Sequence, residues 1–290
     1  MSRVGRREFA RSAVGGAAAL GLARWGWAAA AAGQAASSKV GGLQIGVQSY
    51  TFRKFTLERM LDAMRAVGLD SVELWTGHLD PAKHDEAAFK AARGKLDAAG
   101  IKVSAYCVNF QPDVSDALLD KAFKGAGLLG TKLMTTSTEK AVVPKIDAWA
   151  QKYGVTVGLH NHWLKDSWFH GNEQQNFGGP ADFEEGLAGR SKHIAINLDA
   201  GHFSAAGHDP VAFFEQHHDR IVSLHVKDRA ADAQHSYTRF GKGATPIAAL
   251  MKACQKVHFK YAVNLEYEIE EDDPTEAVRD SYEYVKRALA

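Results

Sequence analysis

The sequence predicts an α/β protein of the eight-stranded (β/α)8 TIM-barrel class. Three observations carry that expectation. Eight apolar, β-branched runs alternate with amphipathic segments. The runs start about every 25 to 40 residues, which is the period of a βα unit. Once a leader is set aside, about 250 residues remain, the common size of one such barrel. An open doubly wound sheet is the rival. That fold usually carries a Gly-rich dinucleotide loop after its first strand. Here Tyr50-Thr51-Phe52-Arg53 follows the first run instead.

The chain has 290 residues, and residues 1–40 read as a leader and linker, with the barrel over 41–290. Arg6-Arg7-Glu8-Phe9 is a twin-arginine pattern, followed by an Ala- and Gly-rich apolar run and by small residues suited to cleavage over 28–36. Gly15, Gly16 and Gly21 dilute that run and Arg24 interrupts it, which suits a cleaved signal better than a permanent span. Export by the twin-arginine route to the periplasm is therefore expected, with no stable membrane insertion after cleavage.

In the barrel, strands are expected at Leu43–Tyr50, Ser71–Trp75, Lys102–Tyr106, Lys132–Thr135, Val155–His160, Ile194–Leu198, Ile221–Val226 and Tyr261–Glu266. Thr56–Val67 carries Leu57, Met60, Leu61 and Met64 at helical spacing behind a Thr56 N-cap. Ala87–Ala98, Ser115–Leu129, Val142–Tyr153, Asp209–His217, Thr245–Val257 and Pro274–Ala288 repeat the pattern. Gly68, Gly100, Gly130 and Gly154 fall where left-handed caps are needed. Two long loops, Trp163–Pro180 and Lys227–Ala244, are rich in aromatics and suit either sugar stacking or local packing. Cys107 and Cys254, the only cysteines, are expected to stay unbridged. A net charge of +1 gives no electrostatic footprint for nucleic acid.

Function is concentrated at strand ends. Four runs finish on metal-binding side chains: His160 (with His162 two residues on), Asp199, His225 and Glu266. Carboxylate oxygens and imidazole nitrogens brought together from several strands suit a divalent ion. Mixed N and O donors favour Mn2+, Co2+ or Zn2+ over Mg2+. His202 lies three residues after Asp199, and the competing reading of Asp199 is a helix cap. Strand alternation places Glu268 on the side of Glu266, and His162 on the side of His160. Glu73, Trp75, His202, Arg229 and Glu268 are the expected substrate contacts.

Together, Val72-Glu73-Leu74-Trp75, His160-Asn161-His162, Asp199 with His202, Leu224-His225-Val226-Lys227-Asp228 and Leu265-Glu266-Tyr267-Glu268 resemble the xylose isomerase-like barrel superfamily. It includes sugar phosphate isomerases and epimerases, inosose dehydratases and type 2 apurinic endonucleases. The resemblance runs from about Leu43 to the C-terminus. It implies a metal-dependent isomerase, epimerase or lyase acting on a sugar or keto-sugar, with proton abstraction beside a carbonyl. Carried over, Asp199, His225 and Glu266 match the epimerase ligands, while His160 stands where those enzymes have a glutamate. That departure removes one of the two bases of a two-base epimerisation and leaves a one-base isomerisation or a β-elimination. Glu266 or His162 is the expected base, with Lys227 or His202 steadying negative charge. The second functional class is a binding barrel that keeps the metal site for carbohydrate affinity. The charge balance and the leader count against an endonuclease. The expected partner is a small sugar, and a homo-oligomer is compatible with the sequence.

Overall fold

The computed structural model describes residues 37–165 and 176–290. The twin-arginine leader, and Trp168 and Phe169 of the first long loop, lie outside the described residues. Eight parallel strands close on themselves: β1 (Leu43–Gln48), β2 (Ser71–Trp75), β3 (Lys102–Cys107), β4 (Leu133–Thr136), β5 (Thr156–His160), β6 (Ile194–Asp199), β7 (Ile221–Val226) and β8 (Val263–Leu265). Each pairs with its sequence neighbours, and β1 pairs with both β2 and β8, which shuts the barrel.

The strands form where expected because one face of each is aliphatic. Ile45, Val47, Val72, Leu74, Val157, Leu159, Ile196, Leu198, Leu224, Val226 and Val263 are all buried. Each such side chain contributes about 1.5–3 kcal/mol when removed from water. Outside them lie α1 (Leu57–Val67), α2 (Glu86–Ala98), α3 (Asp116–Leu128), α4 (Val143–Tyr153), α5 (Pro180–Leu187), α6 (Ala200–Ala205), α7 (Pro210–His217), α8 (Ile247–Lys256) and α9 (Thr275–Leu289). Thr56, Ser115 and Asp209 accept backbone N–H bonds as N-caps. Gly68 and Gly154 take the left-handed cap, at φ +91° and +61°.

Three features depart from expectation. Lys39–Val40 forms a short antiparallel strand on β1, and the buried Ser38 donates to the Ile45 carbonyl at 2.6 Å. These residues fall inside the stretch read as linker, too short for any periodic signal. The first long loop runs into α5, whose eight residues make only about two turns. The second folds into a hairpin, Asp228–Arg229 against Tyr237–Thr238. Its return is pinned by Asp228, which accepts the N–H groups of Gly241 and Gly243 at 2.8 and 2.9 Å. No helix among the described residues is long and apolar enough to cross a membrane. Cys107 and Cys254 are free and buried.

Candidate metal centre

The inner face of the barrel is unusually polar, and that face builds the site. On β6 the outward residues are Ile194, Ile196 and Leu198, so alternation sends Asn197 and Asp199 inward. The same rule turns Ser223 and His225 inward on β7, Asn264 on β8, and Glu73 on β2. Gly158 on β5 makes room, since a Cβ there would lie 3.1 Å from the Asn197 side chain.

Glu73 is the hub of the lower layer. Expected to meet substrate, it is fully buried beneath the mouth instead. Its Oε1 accepts from Gln48 (3.2 Å), Thr135 (2.6 Å) and His225 Nε2 (2.8 Å). Its Oε2 accepts from Ser223 (2.8 Å) and Asn264 (3.0 Å). Five donors thus occupy both its oxygens, and it does not line the cavity at the mouth; alternation gives its direction but not this depth.

Above it, His225 turns Nδ1 upward, 3.0 Å from Glu266 Oε2 and 3.8 Å from Asp199 Oδ2. His160 Nε2 lies 4.0 Å from the same Asp199 oxygen. His160, Asp199 and His225 thus form one group able to hold a metal ion, with Glu266 at its edge. Asp199 Oδ2, Glu266 Oε2 and His225 Nδ1 are all buried without an aligned hydrogen bond. Three buried ligand-type atoms that face one another without aligned hydrogen bonds fit a divalent cation. Asp199 also performs the competing role. Its Oδ1 accepts the His202 N–H at 2.8 Å and caps α6, while Oδ2 faces the cluster.

Lys227 is 2% exposed and reaches across the mouth. Its Nζ lies 3.0 Å from Asp199 Oδ2 and 2.9 Å from Glu266 Oε2, and it donates to Glu268 Oε1. Burial opposes its charge, but these three carboxylates hold it protonated well above the usual lysine range. Burial also pushes Asp199 up to about 6. Burial works against an imidazolium at His225, yet Glu73 and Glu266 outweigh it and raise the group to about 10. His160, His162 and His202 go the other way. Burial, reinforced by neighbouring positive groups, holds them well below the ordinary histidine value and hence neutral.

The cluster opens into a cavity of about 440 Å3. Gln48, Tyr50, Trp75, Asn109, Ser137, His160, His162, His225, Lys227, Glu266 and Glu268 line it. His162 stands beside His160, with ring centroids 4.5 Å apart, and its Nε2 is 2.9 Å from Ser137 Oγ. Trp75 and Tyr50 meet edge to face at 4.9 Å on the wall. His202 and Arg229 sit behind it. Arg229 is 3.2 Å from His202 Nδ1, and His202 Nε2 is 3.8 Å from Glu268. Of the long-loop aromatics, Tyr237 and Trp163 pack on the Arg229 guanidinium at 4.3 and 5.2 Å, Phe177 stacks on Phe183, and Phe240 abuts Tyr284.

Sequence reasoning passed over Asn197, Ser223, Asn264 and Thr135. A signal existed, since each interrupts an apolar strand with a polar residue that must find a partner inside. Asn197 Nδ2 is 3.1 Å from His160 Nδ1 and 3.2 Å from His225 Nε2, so it touches two of the candidate ligands.

A parallel eight-stranded barrel with a His/Asp cluster at the C-terminal mouth defines the class. The xylose isomerase-like TIM barrel family matches residues 139–288, more than half of the chain, and the protein belongs to that family. Solved structures agree on the fold. A D-tagatose 3-epimerase-like protein superposes with a TM-score of 0.64 at 17% identity, covering 84% of this chain and 96% of its own. A sugar phosphate isomerase/epimerase from Parabacteroides distasonis ATCC 8503 gives 0.61 at 18% identity, over 83% and 94%. The IOLI protein, with a binding zinc atom, gives 0.63 at 17% identity, over 84% and 97%. No functionally curated protein matches the chain in sequence.

Proposed function

We propose that the protein is a divalent-metal-dependent enzyme that removes the proton beside a carbonyl of a sugar or keto-sugar, as a one-base isomerase or a carbon–oxygen lyase. The observation that carries this reading is the grouping of His160, Asp199 and His225 beside the cavity, with Glu266 Oε2 3.0 Å from His225 Nδ1 at its edge. Mn2+, Co2+ and Zn2+ suit that mixed donor set better than Mg2+. The bound zinc of one structural neighbour supports the choice. When bound, such an ion polarises a carbonyl oxygen and so acidifies the adjacent C–H.

The chain's own residues divide the remaining work. Glu266 is committed to the cluster through Oε2, so His162 is the better-placed base. It lines the cavity, and burial keeps it unprotonated before the reaction. Lys227 supplies positive charge beside the reacting oxygens. Trp75 and Tyr50 present an apolar wall to a sugar face and limit water entry. Arg229 and His202 orient Glu268 from behind. Because His160 replaces a carboxylate, the two-base epimerase route is disfavoured.

The test is a mass-spectrometric screen of keto-sugars and glycosides with Mn2+, Co2+ and Zn2+ added. Loss of water or an aglycone identifies a lyase, and unchanged mass with altered retention an isomerase. A purified native protein that carries no transition metal and binds none overturns the proposal. We further propose periplasmic residence by twin-arginine export, on the strength of Arg6-Arg7 and the run that follows. A reporter fused after Ala36 should reach the periplasm, and Arg6→Lys/Arg7→Lys should stop it.

A further inference from the structure

Lys227 stands where a lysine has no ordinary structural reason to be. Its ammonium contacts the two oxygens, Asp199 Oδ2 and Glu266 Oε2, that face the candidate ligand nitrogens. Both carboxylates are almost wholly inaccessible to solvent. The path of the side chain is built. A Cβ at Gly201 would lie 2.2 Å from Lys227 Cγ and 2.8 Å from its carbonyl oxygen, so only glycine lets the stem cross the first turn of α6. Glu268 adds a third carboxylate, which the ammonium also touches.

We propose that Lys227 is a tethered counter-cation that competes with the divalent ion for Asp199 and Glu266 and thereby sets the ion affinity of the site. This rests on the metal-dependent reading above. Two like charges cannot share one pair of buried oxygens without repulsion. Loading therefore requires the ammonium to withdraw, and Glu268 gives it a place to go. Charge supports the exchange. A divalent ion and one ammonium together balance Asp199, Glu266 and Glu268. With the ammonium alone, the three carboxylates keep a net negative charge that draws the ion in. The lysine thus neutralises part of the carboxylate charge and weakens the hold of the site on the ion.

The test is calorimetric titration of chelator-stripped full-length protein with Mn2+ and with Zn2+, paired with thermal unfolding of the stripped and loaded forms. Lys227→Met should bind the ion at least about tenfold more tightly than the wild type, since a competing charge is gone. The stripped variant should unfold at a lower temperature and gain more from loading. Lys227→Gln, which keeps a polar end, is the second variant should the first fold poorly. Unchanged or weaker ion binding in the folded variant overturns the proposal and leaves Lys227 only the charge-supplying role given above. Absence of ion binding in the wild type and both variants overturns the metal-dependent reading itself.

Discussion

Glu73 Oε1 accepts the Nε2–H of His225 at 2.8 Å, so a carboxylate from the second strand fixes an imidazole on the seventh. With Nε2 so engaged, Nδ1 is the nitrogen left to face Glu266 and Asp199. Which nitrogen of the candidate ligand would give up its proton to an ion is thus decided from across the barrel. Glu73→Gln keeps the shape but loses the charge that orients the ring. Ion affinity should fall about 10–100-fold, as is usual when such an outer partner is lost. Glu73→Ala should also lower stability by more than about 3 kcal/mol, because several buried donors lose their acceptor together. Ion titration and denaturant melts separate the two effects.

Asp199 divides its carboxylate between a helix cap and the cluster. Asp199→Asn keeps an oxygen able to cap α6 but turns its amide nitrogen toward the buried Lys227 ammonium, so stability should fall by more than about 1 kcal/mol. Metal content by mass spectrometry should drop by more than the roughly 10–100-fold expected of an outer partner. His225→Ala should abolish retention and activity.

Ion binding should tighten as pH rises. In the ion-free protein His225 is held protonated up to about pH 10 by Glu73 and Glu266, against the pull of burial. An ion needs Nδ1 without its proton, so loading below that pH should release about one proton per ion. Asp199, raised by burial to about 6, adds a second loss of affinity below that pH. Titrations in buffers of different ionisation enthalpy count the protons directly. An affinity flat from pH 6 to 9 would remove His225 from the ligand set.

His160→Glu places a carboxylate where the resemblance to the epimerases implies one. Preference should shift from Zn2+ toward Mn2+ and Mg2+, because a hard oxygen replaces an imidazole. Competition titrations with paired ions read this shift.

Much of this was legible beforehand, and the limits are physical. Barrel strands announce themselves because runs such as Ile194–Asp199 must be buried on both sides, and Thr56 and Ser115 mark helix starts by their own chemistry. The candidate ligands stood out because each is the residue at which such a run gives way to an imidazole or a carboxylate. Alternation says which way Glu73 points but not how deep it lies, so its five donors were invisible. Lys227 reaches residues at the ends of the sixth and eighth strands, and only closure of the sheet brings those together. The hairpin at Asp228–Arg229 and the six residues of α6 are too short for any period to register.

The last strand has two tasks. It pairs with β1 to shut the barrel, and it delivers Glu266 to the mouth. During synthesis His160, Asp199 and His225 leave the ribosome in turn, but no nascent chain can offer the full donor set until β8 has emerged and docked. Ring closure and completion of the cage are then the same event. An ion held by all four side chains would therefore report a closed barrel.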